Sequence, residues 1–441
     1  MTSSPSEPGQ PAAAAPTRLT RWLEAQPGLV FSAYAIFAAF CTYFCMYAFR
    51  KPFAAASFAG TSDALGFEVG LKILYVVSQV IGYTMSKFLG IKVVAEASPN
   101  QRAKAILGLI GAAWIALLAF ALLPPPWGFI AMFFNGVPLG MVWGLVFGFL
   151  EGRRMTEVLG AGLSAAYIVG SGAVKGVGLI VLGWGIPEYW MPFAVGALFT
   201  PLLLAFVWLL KQLPPPSAVD EDLRVRREPM DASARNAFVR RFSIGLLLLI
   251  VGRLVMTAYR DFRDNFSADI LKELGHTTDT AEIIASTEVW VAFGVLAVLG
   301  ALFVIRDNRR AFLTVHGVMI LGSVCIGVAT LLFHRGQVDA VAWLTLCGLG
   351  LYACYVPYDS VLFDRLIAAS GSVANAGFLM YLTDAFGYLG SVGVTLYKNF
   401  GHPDLSWVAF FTQFSYVMAI GCAAVFVLSV IYFAARLRTR E

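Results

Sequence analysis

The residues best suited to chemistry in this chain are two arginines set in a repeated local sequence. Met46-Tyr-Ala-Phe-Arg50 returns as Met256-Thr-Ala-Tyr-Arg260, both of the form M-x-A-(F/Y)-R and 210 positions apart. The first copy runs straight on into Lys51 and Pro52. Both arginines lie in long apolar runs. A cation at bilayer depth costs about 2.5–3.5 kcal/mol on insertion scales, so it faces a cavity or a partner. Arginine presents a planar fork of donors that matches a phosphate or carboxylate, and lysine adds a compact charge. The repeat predicts two related halves, each turning one arginine toward a shared cavity. The competing reading is snorkelling, because both arginines fall late in their apolar runs.

Acids complicate the picture. Asp261, Arg263 and Asp264 crowd around Arg260. Two carboxylates there would neutralise the arginine and repel an anion, or would carry protons. Asp384 lies inside another apolar run, where an acid is functional by default. It is a candidate for proton or ion coupling together with Asp261 and Asp264, or for a structural pair with Lys87. Lys175 and Glu288 are expected to pair across two adjoining helices and to lock an outer gate. Glu151, Arg153 and Arg154 end one apolar run, and Asp364 and Arg365 end another. Their opposite charges read as a second gate or as helix-end anchors. Gly170-Ser-Gly-Ala-Val-Lys-Gly176 has no Walker spacing and follows no strand. Gly172 and Gly176 instead form the G-x-x-x-G of a close helix contact.

The six cysteines (41, 45, 325, 347, 354, 422) and four histidines (276, 316, 334, 402) show no metal-ligand spacing. No nucleophile–base pair stands out, so an enzyme is not expected, and no cofactor or metal is called for.

The elements that must hold these residues are membrane helices. Of 441 residues, 59% are hydrophobic and 13% charged, against about 25% charged in soluble domains. The apolar runs are too long for the alternating segments of a β-barrel. The expected fold is an all-α polytopic membrane protein of 12 transmembrane helices in two pseudo-symmetric six-helix halves. The spans fall near 29–58 (kinked at Pro52), 66–90, 103–123, 128–150, 159–183 and 188–210, then 242–265, 283–305, 311–333, 339–364, 373–398 and 406–435. The domains are then a tail (1–27) carrying a short interfacial helix from Thr17, a first half (28–210), a charged linker (211–241), a second half (242–435) and a basic tail (436–441). Lysine and arginine concentrate in the tails, the linker and alternate loops. That places both termini in the cytoplasm of a plasma (inner) membrane protein.

Twelve helices in two halves resemble the plan of the major facilitator superfamily. Shorter motifs point within it. Tyr43, Tyr47 and the Arg50-Lys51 pair resemble the first helix of the organophosphate:phosphate antiporters, which include glycerol-3-phosphate and hexose-phosphate transporters. Tyr83-Thr-Met-Ser-Lys87-Phe88 is similar to that family's second helix. Arg260, a dozen residues before Leu271-Lys-Glu273, is similar to its seventh, and Ala385-Phe-Gly-Tyr-Leu-Gly-Ser391 to its eleventh. The resemblance implies that Arg50 and Arg260 grip a phosphate-like group, helped by Lys51 and Lys87 with Tyr43, Tyr47 and Tyr83. It also implies exchange against phosphate. Tyr167 stands where the family has a histidine, and Glu96 and Arg102 keep its Asp-Arg turn poorly.

The expected function is secondary transport, by alternating access, of a small polar, anionic organic solute, phosphorylated or carboxylated. The alternative is a transporter-shaped sensor that binds a solute and signals without moving it. The expected partners are the small-molecule solute and the lipid bilayer, with no nucleic acid, and the chain is expected to act as a monomer.

Overall fold

A computed structural model of the chain describes residues 17–63, 66, 68–96, 99–151, 153, 155–216, 232–371 and 376–437. Most of the expected N-terminal tail, the centre of the linker and the last four residues lie outside these, as does Arg154.

The first half opens with the short helix α1 (Arg18–Glu24), where the Thr17 hydroxyl caps the Thr20 N–H. Thr17 also donates to Gln212 at 2.6 Å, tying α1 to the end of α8. The helices that follow are α2 (Gly28–Tyr47), α3 (Leu71–Glu96), α4 (Pro99–Leu122), α5 (Gly128–Leu139), α6 (Val142–Phe147), α7 (Thr156–Gly183) and α8 (Met191–Lys211). A two-stranded antiparallel hairpin, β1 (Thr61–Ser62) with β2 (Val69–Gly70), sits between α2 and α3. The second half comprises α9 (Ala232–Arg241), α10 (Ser243–Glu273), α11 (Thr280–Phe303), α12 (Asn308–His334), α13 (Ala340–Pro357), α14 (Phe363–Ser370), α15 (Ala376–Leu396) and α16 (Trp407–Arg436). We call the end bearing β1 and β2 the hairpin end and the opposite end the linker end.

Among the described residues, ten helical stretches are long and apolar enough to cross a bilayer. The expected second and eleventh spans appear as α3 and α15, helices of 26 and 21 residues that are not among the ten. The reason lies in their sequences. α3 carries Lys72, Gln79 and Lys87, and α15 carries Thr383, Asp384 and Ser391. The two pack against each other with these residues turned inward. Apolar side chains instead face outward on α8 (Leu198, Leu202, Trp208), α12 (Leu321, Val324, Val328) and α16 (Ile420, Val427, Ile431). A surface with hydrocarbon around it needs that pattern, since a polar side chain there would go without a hydrogen-bond partner.

Close backbone approach holds α3 to α5. A Cβ on Gly82 would collide with the Phe133 carbonyl, and one on Gly136 with the Gln79 carbonyl. Gly172 of the G-x-x-x-G lies against Glu288 and the Ile284 carbonyl, so that motif does pack α7 on α11.

Two helix breaks adjoin the inward-facing polar residues. The first span does not continue to 58 as one kinked helix. α2 ends at Tyr47, and a short 3-10 turn follows at Pro52–Ala55. Pro52 lacks an N–H and disfavours helix in the residue before it. The carbonyls released at Phe49 and Arg50 accept from Asn135 (3.0 Å) and Gln79 (2.9 Å) instead. In the second half, Pro357 is followed by a π turn at Tyr358–Leu362 before α14. Such turns recur at functional sites.

Candidate functional site

Each inward helix presents its polar residues as a stripe. Tyr43 and Tyr47 of α2 and Arg50 in the turn that follows are spaced i, i+4, i+7, and on α3 Lys72, Gln79, Tyr83 and Lys87 share one face. On α10, Arg253, Arg260 and Asp264 stand at i, i+7 and i+11. Helical periodicity makes each set a row on one side. The rows converge on a cavity of about 500 Å³, lined by Tyr43, Tyr47, Tyr83, Lys87, Trp143, Tyr167, Arg253, Arg260, Tyr355, Asp359, Met380, Asp384 and Tyr388. Toward the hairpin end lies a smaller chamber of about 230 Å³, bounded by Tyr47, Arg50, Lys51, Tyr167, Arg260, Asp261, Asp264 and Tyr352. Tyr47, Tyr167 and Arg260 belong to both.

The two arginines of the repeat have unequal surroundings. Arg260 donates to both Asp261 Oδ1 (2.8 Å from Nη2) and the Tyr388 hydroxyl (2.9 Å), and its Nη1 reaches the Tyr355 hydroxyl. Its charge is therefore met by its own neighbour. Arg50 is only 3% exposed, and its guanidinium stacks over the Tyr83 ring at 3.7 Å. Its Nε is buried with no hydrogen-bond partner among the described residues. A ring face offers a cation about 0.5–2 kcal/mol, far short of what burying an arginine costs.

Asp264 shares the face of Arg260 but sits one turn further along α10, about 6 Å toward the hairpin end, where its partners are residues of the first half. It pairs with Lys51 at 2.5 Å and Lys175 at 2.9 Å and also accepts from Ser171. Asn265 accepts from Lys51 at 2.8 Å. Further toward the hairpin end, Lys72 pairs with Asp269 at 2.6 Å, and Lys272 donates to Ser57 at 3.2 Å. These contacts all join the first half to α10, and they close the hairpin end.

The expected Lys175–Glu288 pair is not formed. Lys175 is taken by Asp264, while Glu288 holds Arg263 Nη1 at 2.7 Å. Residues 263 and 264 are one step of about 100° apart on α10. One therefore faces its own half and the other faces across, and Arg263 supplies the nearer cation to Glu288.

Toward the linker end, Lys87 pairs with Asp384 at 3.0 Å. Asp384 also accepts from Arg253, whose guanidinium pairs with Asp359 at 2.9 Å and stacks on Tyr355 at 3.9 Å. Arg253, Asp359, Tyr355, Tyr388 and Trp143 were missed in the sequence reading. Arg253 and Asp359 had a usable signal, being ionisable residues inside the seventh and tenth apolar runs. The repeat drew attention to Arg260 alone, and the charged end of the tenth run drew it to Asp364 and Arg365. The aromatic residues had no such signal, since tyrosine and tryptophan also fill ordinary helix interfaces.

Of the residues read as a second gate, the described ones (Glu151, Arg153, Asp364 and Arg365) do not line either chamber. Arg153 donates to the Pro214 carbonyl and covers the Phe31 ring at 4.7 Å, within the first half. Arg365 donates to Asn308 at 2.8 Å, within the second. Glu151 and Asp364 end the same segments.

Among the described residues, six cations (Arg50, Lys51, Lys87, Lys175, Arg253, Arg260) and four carboxylates (Asp261, Asp264, Asp359, Asp384) line the chambers or bond directly to a lining residue. The site thus carries an excess of two positive charges.

No curated protein matches the sequence. The structure is similar to the crystal structure of a D-xylose–proton symporter (TM-score 0.62, 13% identity, covering 90% of this chain and 97% of that one). It is also similar to a bacterial homologue of the human lysosomal transporter Spinster (0.60, 14%, 93% and 99%) and to the nucleoside transporter NupG (0.56, 14%, 92% and 100%). At such identities the likeness is one of fold, and that fold is the major facilitator type. Residues 52–436 match a family described as of unknown function, DUF5690, and the chain belongs to that family.

Proposed function

We propose that this protein is a secondary transporter that moves a small organic anion, phosphorylated or carboxylated, across the membrane by alternating access. The observation that carries this reading is Arg50, a buried guanidinium with a ring beneath it, no ion pair to a carboxylate among the described residues and a chamber beside it. An excess of two positive charges suits a dianion. The likeness of the Tyr43–Phe53 and Tyr83–Phe88 segments to organophosphate:phosphate antiporters supports the same substrate class. The similar structures named above are those of a symporter, a nucleoside transporter and a transporter homologue. Lys51, Lys87 and Arg260 would share the anion with Arg50, while Tyr43, Tyr47, Tyr83 and Tyr167 would donate hydrogen bonds to it.

In this reading the hairpin end faces outward, both termini face the cytoplasm of a plasma membrane, and α3 and α15 complete twelve spans. Each chain holds a whole cavity and works as a monomer. The outer end is latched through Asp264, so the conformation is closed to the outside.

The test has two stages. A thermal-shift screen of the purified protein against phosphorylated, carboxylated and neutral solutes should give stabilisation by anions. Counterflow of the stabilising anion in proteoliposomes should then be measured. Stabilisation by neutral solutes alone would overturn the anion reading. Anion binding without counterflow would make the protein a sensor.

A further inference from the structure

We propose that Asp261 is a specificity residue of the site: together with Arg50 it selects an anionic group that keeps a proton on one of its oxygens, as hydrogen phosphate does and sulfate does not. This deepens the anion reading, on which it rests.

Two buried atoms in the wall of the smaller chamber lack a hydrogen-bond partner among the described residues, and they are of opposite kind. Arg50 Nε, a donor, belongs to the first half, and Asp261 Oδ2, an acceptor, to α10 of the second. Arg50 and Asp261 are 3% and 2% exposed, and both line that chamber. Asp261 uses only one oxygen on Arg260: Oδ1 accepts from Nη2 at 2.8 Å and from Nε at 3.1 Å. Oδ2 is left over. The other charges of the chamber are met. Lys51 pairs with Asp264 and donates to Asn265, Asp264 also takes Lys175, and Arg260 is held by Asp261 and two tyrosine hydroxyls. Tyr47, Tyr167 and Tyr352 complete the wall and, as phenols, bring no charge.

Buried polar groups are almost always hydrogen-bonded. An ionised carboxylate only accepts, and a guanidinium only donates. One bound group satisfies both orphans when it offers an oxygen to Arg50 and a hydrogen to Asp261. A carboxylate or a sulfate offers oxygens alone and would set one of them against Oδ2. Hydrogen phosphate has three bare oxygens and one P–OH, and it is a dianion, the charge that offsets the excess of two. A phosphate monoester reaches the same hydrogen-bonding pattern in its singly protonated form. An ammonium would also donate to Oδ2, but it adds positive charge beside Arg50, Lys51 and Arg260.

Rejection follows from the same arrangement. A site whose buried polar groups an analogue leaves unpaired discriminates more strongly than one that differs from it only in shape. Sulfate matches hydrogen phosphate in shape and charge, so the missing hydrogen is the difference that Asp261 reads. Arg50 supplies affinity for either anion, and Asp261 supplies the choice between them.

Isothermal titration of the purified protein in detergent, near neutral pH and at fixed ionic strength, compares sodium phosphate with sodium sulfate. The wild type should bind phosphate about 10- to 100-fold more tightly, the equivalent of one hydrogen bond to a charged group. Asp261→Asn keeps an oxygen for Arg260 and puts an amide N–H where Oδ2 stood. It should gain sulfate binding, and the preference for phosphate should fall about 10-fold or more. Equal binding of the two anions by the wild type, or an unchanged preference in the variant, overturns the role of Asp261. If the variant does not fold, methyl phosphate and methyl sulfate decide on the wild type at about pH 6, near the second pKa of a phosphate monoester. The two share a shape, and only the first carries a hydrogen on an oxygen. Tighter binding of methyl phosphate is expected, and equal binding overturns the assignment. Glycolate binding without phosphate binding overturns it too and leaves the anion reading standing. If none of these anions binds, both fail.

Discussion

Arg50 is buried, stacked on Tyr83 and not hydrogen-bonded through Nε. Leaving it so in the empty protein costs stability, which a bound anion would return. Arg50→Ala should therefore abolish anion-dependent thermal stabilisation and weaken anion binding about 10- to 100-fold, the equivalent of one charge-assisted hydrogen-bonding group, while the apo protein keeps or gains stability. Unchanged binding would sink the role given to this residue. Arg263 and Glu288 make the contrasting case of a pair closed on itself at 2.7 Å. Glu288→Ala should destabilise the fold by about 3–5 kcal/mol because it strands a buried cation, and Arg263→Met with Glu288→Leu should restore much of the loss. Thermal unfolding of the single and double variants decides this. The sequence put Glu288 opposite Lys175 because both lie at similar depth on adjoining helices. Depth is written in the chain, but the rotation that turned Arg263 rather than Asp264 toward Glu288 is not.

At the level of elements, α10 organises the site. Its one cavity face carries Arg253, Arg260 and Asp264 as a row, and its flank holds Arg263 for its own half. The M-x-A-(F/Y)-R repeat marked one residue of that row, and helical spacing from Arg260 reaches Arg253 two turns earlier. α3 is the matching element in the first half, and its seat on α5 depends on Gly82 and Gly136. Gly136→Leu should push the two backbones apart at the Gln79 carbonyl and cost about 1–3 kcal/mol or more. The change is read as a lower unfolding midpoint in detergent, together with weaker anion binding, because Gln79 also fixes the Arg50 carbonyl. Gly108→Ala, which has open space around the added Cβ, should leave both unaltered.

Across the whole molecule, the two halves meet at the hairpin end chiefly through Lys51, Lys72 and Lys175 of the first and acidic acceptors of the second, with Lys272 to Ser57 in the reverse sense. Asp264 takes two lysines from different helices, so it is the keystone of that closure. Asp264→Asn keeps the shape but removes the charge. It should raise the labelling rate of a Ser267→Cys probe by a membrane-impermeant maleimide added from the hairpin side, measured by intact mass in proteoliposomes against Ser267→Cys alone. Equal rates would mean that packing, not charge, shuts that end. Lys72→Met, further out on the same interface, should give a smaller increase, since Asp269 holds one lysine rather than two.

Composition and the length of the apolar runs were enough for an all-helical membrane fold, because a chain in hydrocarbon must bond its backbone within each segment and show apolar side chains outside. The repeat was enough to bring Arg50 and Arg260 under suspicion as a pair. Three things were decided only by tertiary packing. Asp261, not Asp264, neutralises Arg260. Asp264 belongs to the closure of the hairpin end. Arg253 binds Asp359 and Asp384 in one network with Lys87. Each depends on which way a helix is rotated against neighbours from distant parts of the chain, and a charged residue in a low-dielectric interior goes to whichever partner that rotation brings within reach.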